Sequence, residues 1–321
     1  MNDKNEVPIV AVIGPNGFIG RKLVNALLAQ NNVLIRALER SLSSDKQHPN
    51  LTVIQGDLCK LETLQNLLVT DCIVINLAYS FKMSREYNLL AIKNLAKICK
   101  SRKIKRLIHC STVSVFGRSP DDIVNEESVC YPLTEYAKAK LSIEQILLDA
   151  SRGNFEFVNL RLASVFGSDG IALSKLIADL TRGSMMLNYF KACLFNKRKL
   201  NLVSLETVTA AIIFMMNPKL KVDGHTFIVS EDYESINNFH YVEQYLLNKL
   251  IKKNYIFGPV NIPLQILSFF LRVRGRDSCD PSRLYDPSKI LKIGFNPPRT
   301  LQQSLDSFIE WHKAHSIIDK N

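Results

Sequence analysis

The segment Val12-Ile-Gly-Pro-Asn-Gly-Phe-Ile-Gly20 limits the possible folds of this chain most strongly, because its glycines separate a predicted strand from a predicted helix. The apolar, β-branched run Ile9–Ile13 precedes the turn, and residues 21–29 follow with helical spacing. A helix that starts from such a turn has unpaired N–H groups, and its dipole favours an anion there. We predict a pyrophosphate-binding turn, with a plain strand–helix corner as the alternative. The predicted contacts are Gly14, Asn16, Gly17, Phe18, Ile19 and Gly20.

Strands and helices alternate through the first half of the chain, which predicts an α/β fold with a Rossmann-like, doubly wound parallel sheet. The predicted strands are Ile9–Ile13, Val33–Leu38, Leu51–Ile54, Cys72–Leu77, Arg106–Cys110 and Phe155–Leu160. The predicted helices are one that ends near Gln30, then Tyr87–Ser101, Thr134–Ala150 and Leu301–His315.

The alternation loosens after Gly167, where a strand pair is predicted near Asn201–Val203 and Thr226–Val229. We therefore expect a nucleotide-binding domain over residues 1–167, to which the chain returns near 200–230 and 284–295. Residues 168–321 would form most of a smaller, discontinuous substrate-binding domain.

Composition indicates a globular protein whose positive charge suits an anionic ligand or surface, with ordinary solvated charge as the alternative for most of the lysines. The chain has 321 residues, 46% of them hydrophobic, and 41 basic against 30 acidic residues give a net charge of +11. None of the seven cysteines has C-x-x-C spacing, so we expect free thiols in a reducing compartment. The first residues are polar, so we expect no signal peptide. The sequence has no run of about 18 apolar residues, so we expect no membrane-spanning helix. We expect a cytoplasmic protein.

Residues directly after the predicted strands are the next candidates, because a doubly wound sheet binds its ligand at the carboxyl ends of its strands. Glu39 suits the ribose hydroxyls of NAD, whereas the neighbouring Arg40 suits the 2′-phosphate of NADP, so NAD is favoured and NADP stays open. Asp57 either accepts from the adenine amine or caps the following helix. Further predicted dinucleotide contacts are Leu58, Leu77, Ala78 and Tyr79.

Tyr136 and Lys140 form the candidate catalytic pair, because residues four apart share a helix face. A free phenol with a pKa of about 10 is a poor base at neutral pH. A nearby ammonium would lower that pKa and suit the pair to proton exchange with a carbinol or carbonyl. The Thr112 hydroxyl would hold the same oxygen. The alternative is a surface helix pair, which the upstream glycine turn disfavours.

These motifs together resemble the extended short-chain dehydrogenase/reductase family, in particular its nucleotide-sugar epimerases and dehydratases. The glycines match its G-x-x-G-x-x-G turn, residues 111–117 match S-T-x-S-V-F-G, and residues 136–140 match Y-x-x-x-K. Residues 76–78, Asn88, residues 160–167, and Asp286–Ile290 with Ile293–Pro297 supply further matches along essentially the whole chain.

The resemblance implies roles for individual residues. Tyr136 would be the acid/base, Lys140 would bind the nicotinamide ribose, Thr112 would hold the substrate hydroxyl, and Asn88 would help to bind the cofactor. Val113-Ser114 follows Thr112 where the family's dehydratases have Asp-Glu, which disfavours dehydration. Ser114 and Ser164 are candidate substrate contacts. Ser164 stands where 4-epimerases have an asparagine near the nucleotide phosphates.

The second half of the chain is similar to the branch that acts on N-acetylated UDP-sugars. Lys199, Arg274, Arg276 and Arg283 are the candidates for binding a diphosphate, with solvated surface charge as the alternative. We therefore expect an NAD(P)-dependent nucleotide-sugar epimerase with a transient 4-keto intermediate, and two alternative functions stay open. These are an NADPH-dependent 4-ketoreductase of a UDP-4-keto-sugar and a hydroxysteroid-type dehydrogenase.

The expected partner is a nucleotide-diphosphate sugar, in surface-polysaccharide biosynthesis. We expect a homodimer and leave peripheral membrane contact open, since the apolar and basic segment around 250–276 suits an anionic lipid surface. No nucleic-acid partner is predicted. His312 and His315, three residues apart on the last helix, have no further ligands near them in sequence, so no metal site is predicted.

Overall fold

The computed structural model describes residues 7–40, 48–251, 254–263, 265–268 and 280–318. Its strands are β1 (Ile9–Ile13), β2 (Leu34–Glu39), β3 (Leu51–Gln55), β4 (Ile73–Asn76), β5 (Arg106–Thr112), β6 (Ile123–Val124), β7 (Glu156–Leu162), β8 (Ser164–Phe166), β9 (Leu202–Ser204), β10 (His225–Val229) and β11 (Leu284–Tyr285). Its helices are α1 (Phe18–Gln30), α2 (Leu61–Leu67), α3 (Arg85–Ser101), α4 (Glu135–Ser151), α5 (Ser174–Arg182), α6 (Met185–Phe195), α7 (Leu205–Met215), α8 (Phe239–Leu246), α9 (Ser288–Lys292) and α10 (Leu301–Ile318). A short 3₁₀ helix (Val113–Phe116) and a π-helical turn (Leu247–Ile251) are also present.

The main sheet has seven strands in the spatial order β10-β7-β5-β4-β1-β2-β3. Adjacent strands from β3 through β2, β1 and β4 to β5 pair in parallel. The chain runs outward from β1 to β3 and then returns to the other side of β1 at β4. Such a reversal opens a crevice at the carboxyl ends of the strands, where ligands bind. The predicted doubly wound α/β class is confirmed.

The first compact unit comprises Met1–Thr112, Glu135–Arg161 and Ala211–Phe227. Its core joins strand side chains such as Ile13 and Val74 to helix side chains such as Leu95 and Leu147. β-branched residues suit these strands because they are buried on both faces. The helix α3 starts two residues earlier than predicted, because the Ser84 hydroxyl accepts from the Tyr87 N–H (3.2 Å) and caps it.

The second unit comprises Val113–Thr134, Leu162–Ala210 and Ile228–Asn321. Its core includes Phe166, Leu246 and Phe308. Two short parallel strand pairs, β6 with β11 and β8 with β9, belong to it. This division differs from the predicted one at residue 167, since residues 113–134 and 284–295 fall in the second unit.

One predicted strand pair is wrong. The strands predicted near 201–203 and 226–229 exist as β9 and β10, but they do not pair with each other. Instead β9 pairs with β8, and β10 is one of the two edge strands of the main sheet. Among the helices of the described ranges, none combines the length and the apolar character needed to cross a bilayer.

Candidate active site

The glycine turn joins β1 to α1 as the sequence predicts. Gly14 has φ +87°, a conformation that favours glycine, and a Cβ on it would lie 3.3 Å from Ala78 N. A Cβ on Gly20 would overlap the carbonyl oxygen of Gly14. The Gly17 N–H donates to Gly14 O (3.2 Å), and Gly17 is the N-cap of α1. The turn therefore brings a helix N-terminus against the loop after β4 without intervening side chains, which suits a phosphate group.

A cavity of about 360 Å³ lies against this turn, within the first unit. The loops after β1, β2, β3 and β4 and one face of α3 line it. The predicted cofactor residues among its lining are Gly14, Asn16, Gly17, Glu39, Arg40, Leu58, Leu77, Ala78, Tyr79 and Asn88. Phe18, Ile19 and Gly20 instead form the first turn of α1.

Glu39 ends β2 and lines the cavity, although its side chain is buried, with 2% of the residue exposed. A carboxylate at this place can accept from ribose hydroxyls and repels a 2′-phosphate. Arg40 also lines the cavity and is exposed. The residues present fit NAD, with the glycine turn for the pyrophosphate and Glu39 for the ribose.

Asp57 is engaged within the protein. Its carboxylate accepts from the Tyr87 hydroxyl (2.8 Å to both oxygens) and from the Cys59 N–H (2.8 Å). Burial alone would raise the pKa of Asp57, but these bonds and the positive charges of Arg40 and Lys60 outweigh it and lower the pKa. The alternative role as a helix cap is wrong, because Lys60 is the N-cap of α2. The predicted adenine contact stays a prediction.

Asn88 braces the loop between β4 and α3. Its Oδ1 accepts from Ser80 N–H (2.9 Å), and its Nδ2 donates to Ser80 O (3.0 Å) and Ser84 O (2.9 Å). The asparagine therefore fixes the loop that forms one wall of the cavity, and its cofactor contact stays a prediction.

The predicted catalytic residues come together in the first unit. Tyr136 lies in the first turn of α4, and the Thr112 side chain at the end of β5 hydrogen bonds with its phenol. Lys140 follows one turn later and is buried. Its Nζ donates to Cys110 O (2.6 Å) and lies 6.0 Å from the centre of the Tyr79 ring.

The expected lowering of the Tyr136 pKa is wrong for this structure. Burial raises the pKa of Tyr136 to about 12, against the lowering effect of the Thr112 hydrogen bond. Burial also lowers the pKa of Lys140 to about 8. The prediction holds for solvated groups, whereas both groups are desolvated here, and desolvation disfavours the phenolate and the ammonium alike.

Two aromatic rings stand beside the Tyr136 phenol. The ring centres of Tyr79 and Phe81 each lie 5.0 Å from that of Tyr136, and they lie 5.1 Å from each other. Phe81 is 78% exposed. Phe81 was not among the predicted site residues, because a single phenylalanine in a sequence does not indicate that its ring touches a catalytic group.

Buried polar residues behind the catalytic pair were also missed. His109 and Asn76 are register partners on β5 and β4, and both are fully buried. Glu144 on α4 forms a buried ion pair with Arg161 (2.8 Å) and accepts from the Ser111 hydroxyl. A polar residue directly after the apolar pair Leu107-Ile108 in a predicted buried strand was the available signal for His109.

The predicted arginine clamp is wrong for Arg283. Its residue is 4% exposed, and its guanidinium donates to Gly117 O (2.5 Å) and Ser119 O (2.6 Å). These backbone acceptors make Arg283 a structural residue of the second unit. Arg274 and Arg276 lie outside the described residues.

The remaining substrate candidates belong to the second unit. Ser114 lies in the 3₁₀ helix after β5, and Ser164 opens β8, where its N–H donates to Asn201 O (2.8 Å). The Lys199 N–H donates to Pro281 O (2.7 Å). Their substrate contacts stay predictions, and Lys199 is the remaining described cation among the diphosphate candidates.

An exposed apolar groove of about 230 Å³ also lies in the second unit. Its lining includes Met186 on α6 together with Ile256 and Phe257, and all three side chains are exposed. The predicted peripheral membrane contact near this segment stays a prediction.

Comparisons with known proteins identify the family of this chain. Residues 10–220 match the NAD dependent epimerase/dehydratase family. D-erythronate dehydrogenase of Haemophilus influenzae is 24% identical, over 94% of this chain and 99% of its own length. Mouse sterol-4-alpha-carboxylate 3-dehydrogenase (decarboxylating) is 26% identical, over 58% of this chain and 53% of its own.

Solved structures share the fold over nearly the whole chain. The UDP-glucuronic acid 4-epimerase of Bacillus cereus, in complex with UDP-glucuronic acid and NAD, gives a TM-score of 0.71 at 19% identity, covering 95% of this chain and 99% of that one. The dTDP-glucose 4,6-dehydratase of Bacillus anthracis, in complex with NAD, gives 0.72 at 18% identity, covering 96% and 97%. The predicted resemblance to extended nucleotide-sugar epimerases and dehydratases, the enzyme class and the cofactor NAD are confirmed. This chain belongs to the NAD-dependent epimerase/dehydratase family.

Proposed function

We propose that this protein is a nucleotide-sugar epimerase that inverts a sugar carbinol through a transient 4-keto intermediate. The observation that carries the proposal is the hydrogen bond between Thr112 and Tyr136, one helical turn from Lys140 and in the same unit as the glycine-turn cavity. Two hydroxyl groups that share one bound oxygen can hold a carbinol and exchange its proton. Val113-Ser114 after Thr112 supplies no acid for expelling water.

NAD, when bound, supplies an acceptor and donor for a hydride. Gly14, Gly17 and Glu39 would hold it through pyrophosphate and ribose, and Lys140 would meet its nicotinamide ribose. Tyr136 as the phenolate takes the hydroxyl proton when the carbinol is oxidised, and returns that proton when the ketone is reduced. Thr112 donates to the same substrate oxygen. The charge of a protonated Lys140 favours the phenolate, which burial disfavours.

A hydroxysteroid-type dehydrogenase is the second candidate, because of Phe81. This ring is largely exposed and lies 5.0 Å from the Tyr136 ring, so the substrate would meet an apolar wall. An apolar carbonyl compound suits such a wall, although the less polar face of a sugar ring also packs on aromatic rings. The sterol dehydrogenase among the relatives agrees with this alternative.

The one-way 4-ketoreductase uses the same catalytic residues, and Arg40 at the cavity suits NADPH. Tightly held NAD⁺ separates the two reactions, because an epimerase must keep the hydride between its two half-reactions. We further propose a cytoplasmic homodimer that serves surface-polysaccharide biosynthesis and acts on N-acetylated UDP-sugars.

Two measurements test the proposal. The purified protein is denatured and the released nucleotide identified. UDP-N-acetylglucosamine, UDP-glucose and UDP-glucuronic acid are then incubated with the protein in D₂O and followed by proton NMR. We expect released NAD⁺ and an epimer without deuterium at the inverted carbon, since the hydride returns from the cofactor.

The Tyr136→Phe variant is the matched control and should release the same nucleotide without forming the epimer. No released nucleotide, together with reduction of a UDP-4-keto-sugar by added NADPH, would replace the epimerase with the ketoreductase. Turnover of a 3β-hydroxysteroid and of none of the UDP-sugars would favour the second candidate.

A further inference from the structure

An exposed apolar surface in the second unit is formed by α6 and a loop later in the chain. Met186, Leu187 and Phe190 on α6 are between 57% and 67% exposed. Ile256 and Phe257 on the loop are 92% and 74% exposed. Single exposed apolar side chains are common on soluble proteins, whereas a contiguous group of them marks an interaction site. We call these five side chains the apolar patch.

The loop of the apolar patch is attached to α6 through its backbone. Three hydrogen bonds connect the loop backbone to side chains of α6 and of the residue that caps its end. They join Tyr189 Oη to Gly258 O, Asn196 Nδ2 to Pro259 O, and Val260 N to Cys193 Sγ, each at 3.3 Å. Met186, Ile256 and Phe257 line one groove, so the exposed side chains of helix and loop are neighbours. The attached loop therefore presents its apolar side chains beside those of α6.

The segments that carry the apolar patch are basic. Residues 180–205 contain five lysines or arginines, residues 244–276 contain six, and neither segment contains an aspartate or a glutamate. Arg182 is exposed shortly before α6, and Lys197 is exposed shortly after it. Apolar side chains flanked by cations match a bilayer surface, which offers apolar acyl chains beneath negatively charged phosphates.

We propose that the apolar patch binds the surface of an anionic lipid bilayer. Ile256 and Phe257 insert at the boundary between headgroups and acyl chains, and the flanking cations contact lipid phosphates. Neither contribution alone holds a protein firmly on a membrane, whereas the two together do so reversibly. Tyr189 and Tyr255 line the groove with ring centres 5.5 Å apart, and such amphipathic rings suit the headgroup region. Membrane binding of this kind does not depend on which reaction the first unit catalyses.

A second copy of this chain is the competing occupant of the apolar patch. A two-fold contact would place the same patch on both subunits. The basic segments 180–205 and 244–276 would then face their own copies without an acidic residue in either segment. Asp179 compensates the charge of Lys191 (2.8 Å), but it lies just outside the first of these segments. Like charges that face each other disfavour an interface, whereas lipid phosphates neutralise them. The charge pattern therefore favours the bilayer.

Cosedimentation of the purified full-length protein with vesicles tests the proposal. We expect vesicles of phosphatidylcholine with about one third phosphatidylglycerol to bind the protein about tenfold more tightly than phosphatidylcholine alone. Added salt should weaken this binding. The double variant Ile256→Ser with Phe257→Ser should bind the anionic vesicles about tenfold more weakly, because it removes the inserted side chains. The matched control is Ile171→Ser with Val129→Ser, which removes exposed apolar side chains of the same unit outside the patch and should bind as the wild type does.

The single tryptophan, Trp311, allows the depth of the apolar patch to be measured. In a Trp311→Phe background, Phe257→Trp places the only tryptophan on the patch, and Ile171→Trp places it elsewhere in the unit. Lipids brominated on their acyl chains should quench the fluorescence of the Phe257→Trp variant and leave that of the Ile171→Trp variant unchanged.

Three results would overturn the proposal. The first is a wild-type protein that does not bind anionic vesicles, and the second is undiminished binding by the serine double variant at residues 256 and 257. The third is equal quenching of both tryptophan variants. Sedimentation velocity identifies the competing occupant, because a dimer that binds no vesicles and dissociates in the serine double variant would assign the patch to a second copy instead.

Discussion

At the scale of single residues, burial sets the chemistry of this site. Tyr136 and Lys140 both lose their ordinary proton affinities because neither is well solvated. The pair therefore depends on the bonds that hold each group, Thr112 for the phenol and Cys110 O with His109 for the amine. Removing single polar atoms is the way to separate their roles.

Replacing Tyr136 by phenylalanine removes only the phenolic oxygen. We expect turnover to fall by about 10²–10⁴-fold, the usual contribution of a general acid–base group. Cofactor affinity and melting temperature should stay near wild type, because the ring and its aromatic neighbours remain. Steady-state rates and NAD titration check this, with the exposed Tyr131→Phe as the control. A rate close to wild type would remove Tyr136 from the acid–base role.

Replacing Glu39 by alanine removes the buried carboxylate from the cavity. We expect NAD to bind at least tenfold more weakly, since a hydrogen bond to a charged group contributes roughly 1.5–3 kcal/mol. NADP should bind better than before, because the repulsion of its 2′-phosphate is gone and Arg40 remains. Titrating both cofactors against both proteins measures the preference. The exposed Glu62→Ala is the control, and an unaltered preference would place the ribose elsewhere.

At the scale of elements, the positions of the main-sheet strands were predicted well from the sequence, whereas the one specific strand pair that was predicted is wrong. Apolar β-branched runs such as Ile9–Ile13 identify a buried strand locally, and the helix after the glycine turn follows from its spacing. Pairing is a long-range property, so β9 and β10 were recognised as strands but given the wrong partners.

Hydrogen-bond partners of side chains were not predicted either, because they too are distant in sequence. An arginine in a basic segment reads as a surface cation, yet Arg283 is buried because Gly117 O and Ser119 O accept from it. Asp57 similarly meets Tyr87, thirty residues away in sequence. The residues around the glycine turn could be predicted because a single short motif determines the backbone conformation and also includes the residues expected to contact the ligand.

The β1–α1 turn offers a test at this scale. In Gly20→Ala the new methyl group would overlap Gly14 O and lie 2.9 Å from Pro15 Cα, and backbone atoms cannot move aside cheaply. We expect the turn to shift and NAD to bind at least tenfold more weakly, because the backbone no longer fits the pyrophosphate. Calorimetric titration measures the affinity. Gly258→Ala, where a Cβ meets open space, should change nothing. Wild-type affinity in Gly20→Ala would show that the turn tolerates a side chain.

At the scale of the whole molecule, buried ionisable groups make folding stability depend on pH. Lys140 is the clearest case, because its pKa is about 8 in the folded protein against an ordinary value of 10.5. Between these two values the unfolded chain binds a proton that the folded protein does not. Unfolding therefore takes up a proton in this window, and raising the pH favours the folded state.

The Lys140→Met variant isolates this contribution, because methionine has similar length and does not ionise. We expect the free energy of unfolding of the wild type, relative to Lys140→Met, to rise between pH 8 and 10.5. The rise should be on the order of 2–3 kcal/mol, since one pKa unit corresponds to about 1.36 kcal/mol. Urea unfolding of both proteins at several pH values gives the difference. Groups common to both proteins, including Tyr136, cancel in this comparison.

Lys138 provides the matched control, because it lies on the same helix with an exposed side chain near Glu135 (2.9 Å). Wild type and Lys138→Met should give parallel curves, because the Lys138 side chain is exposed at the surface of the helix. A flat difference between wild type and Lys140→Met would mean that the amine of Lys140 is solvated in the folded protein. The buried contacts of Lys140 Nζ with Cys110 O (2.6 Å) and His109 Nε2 (3.2 Å) could then not hold the amine in place.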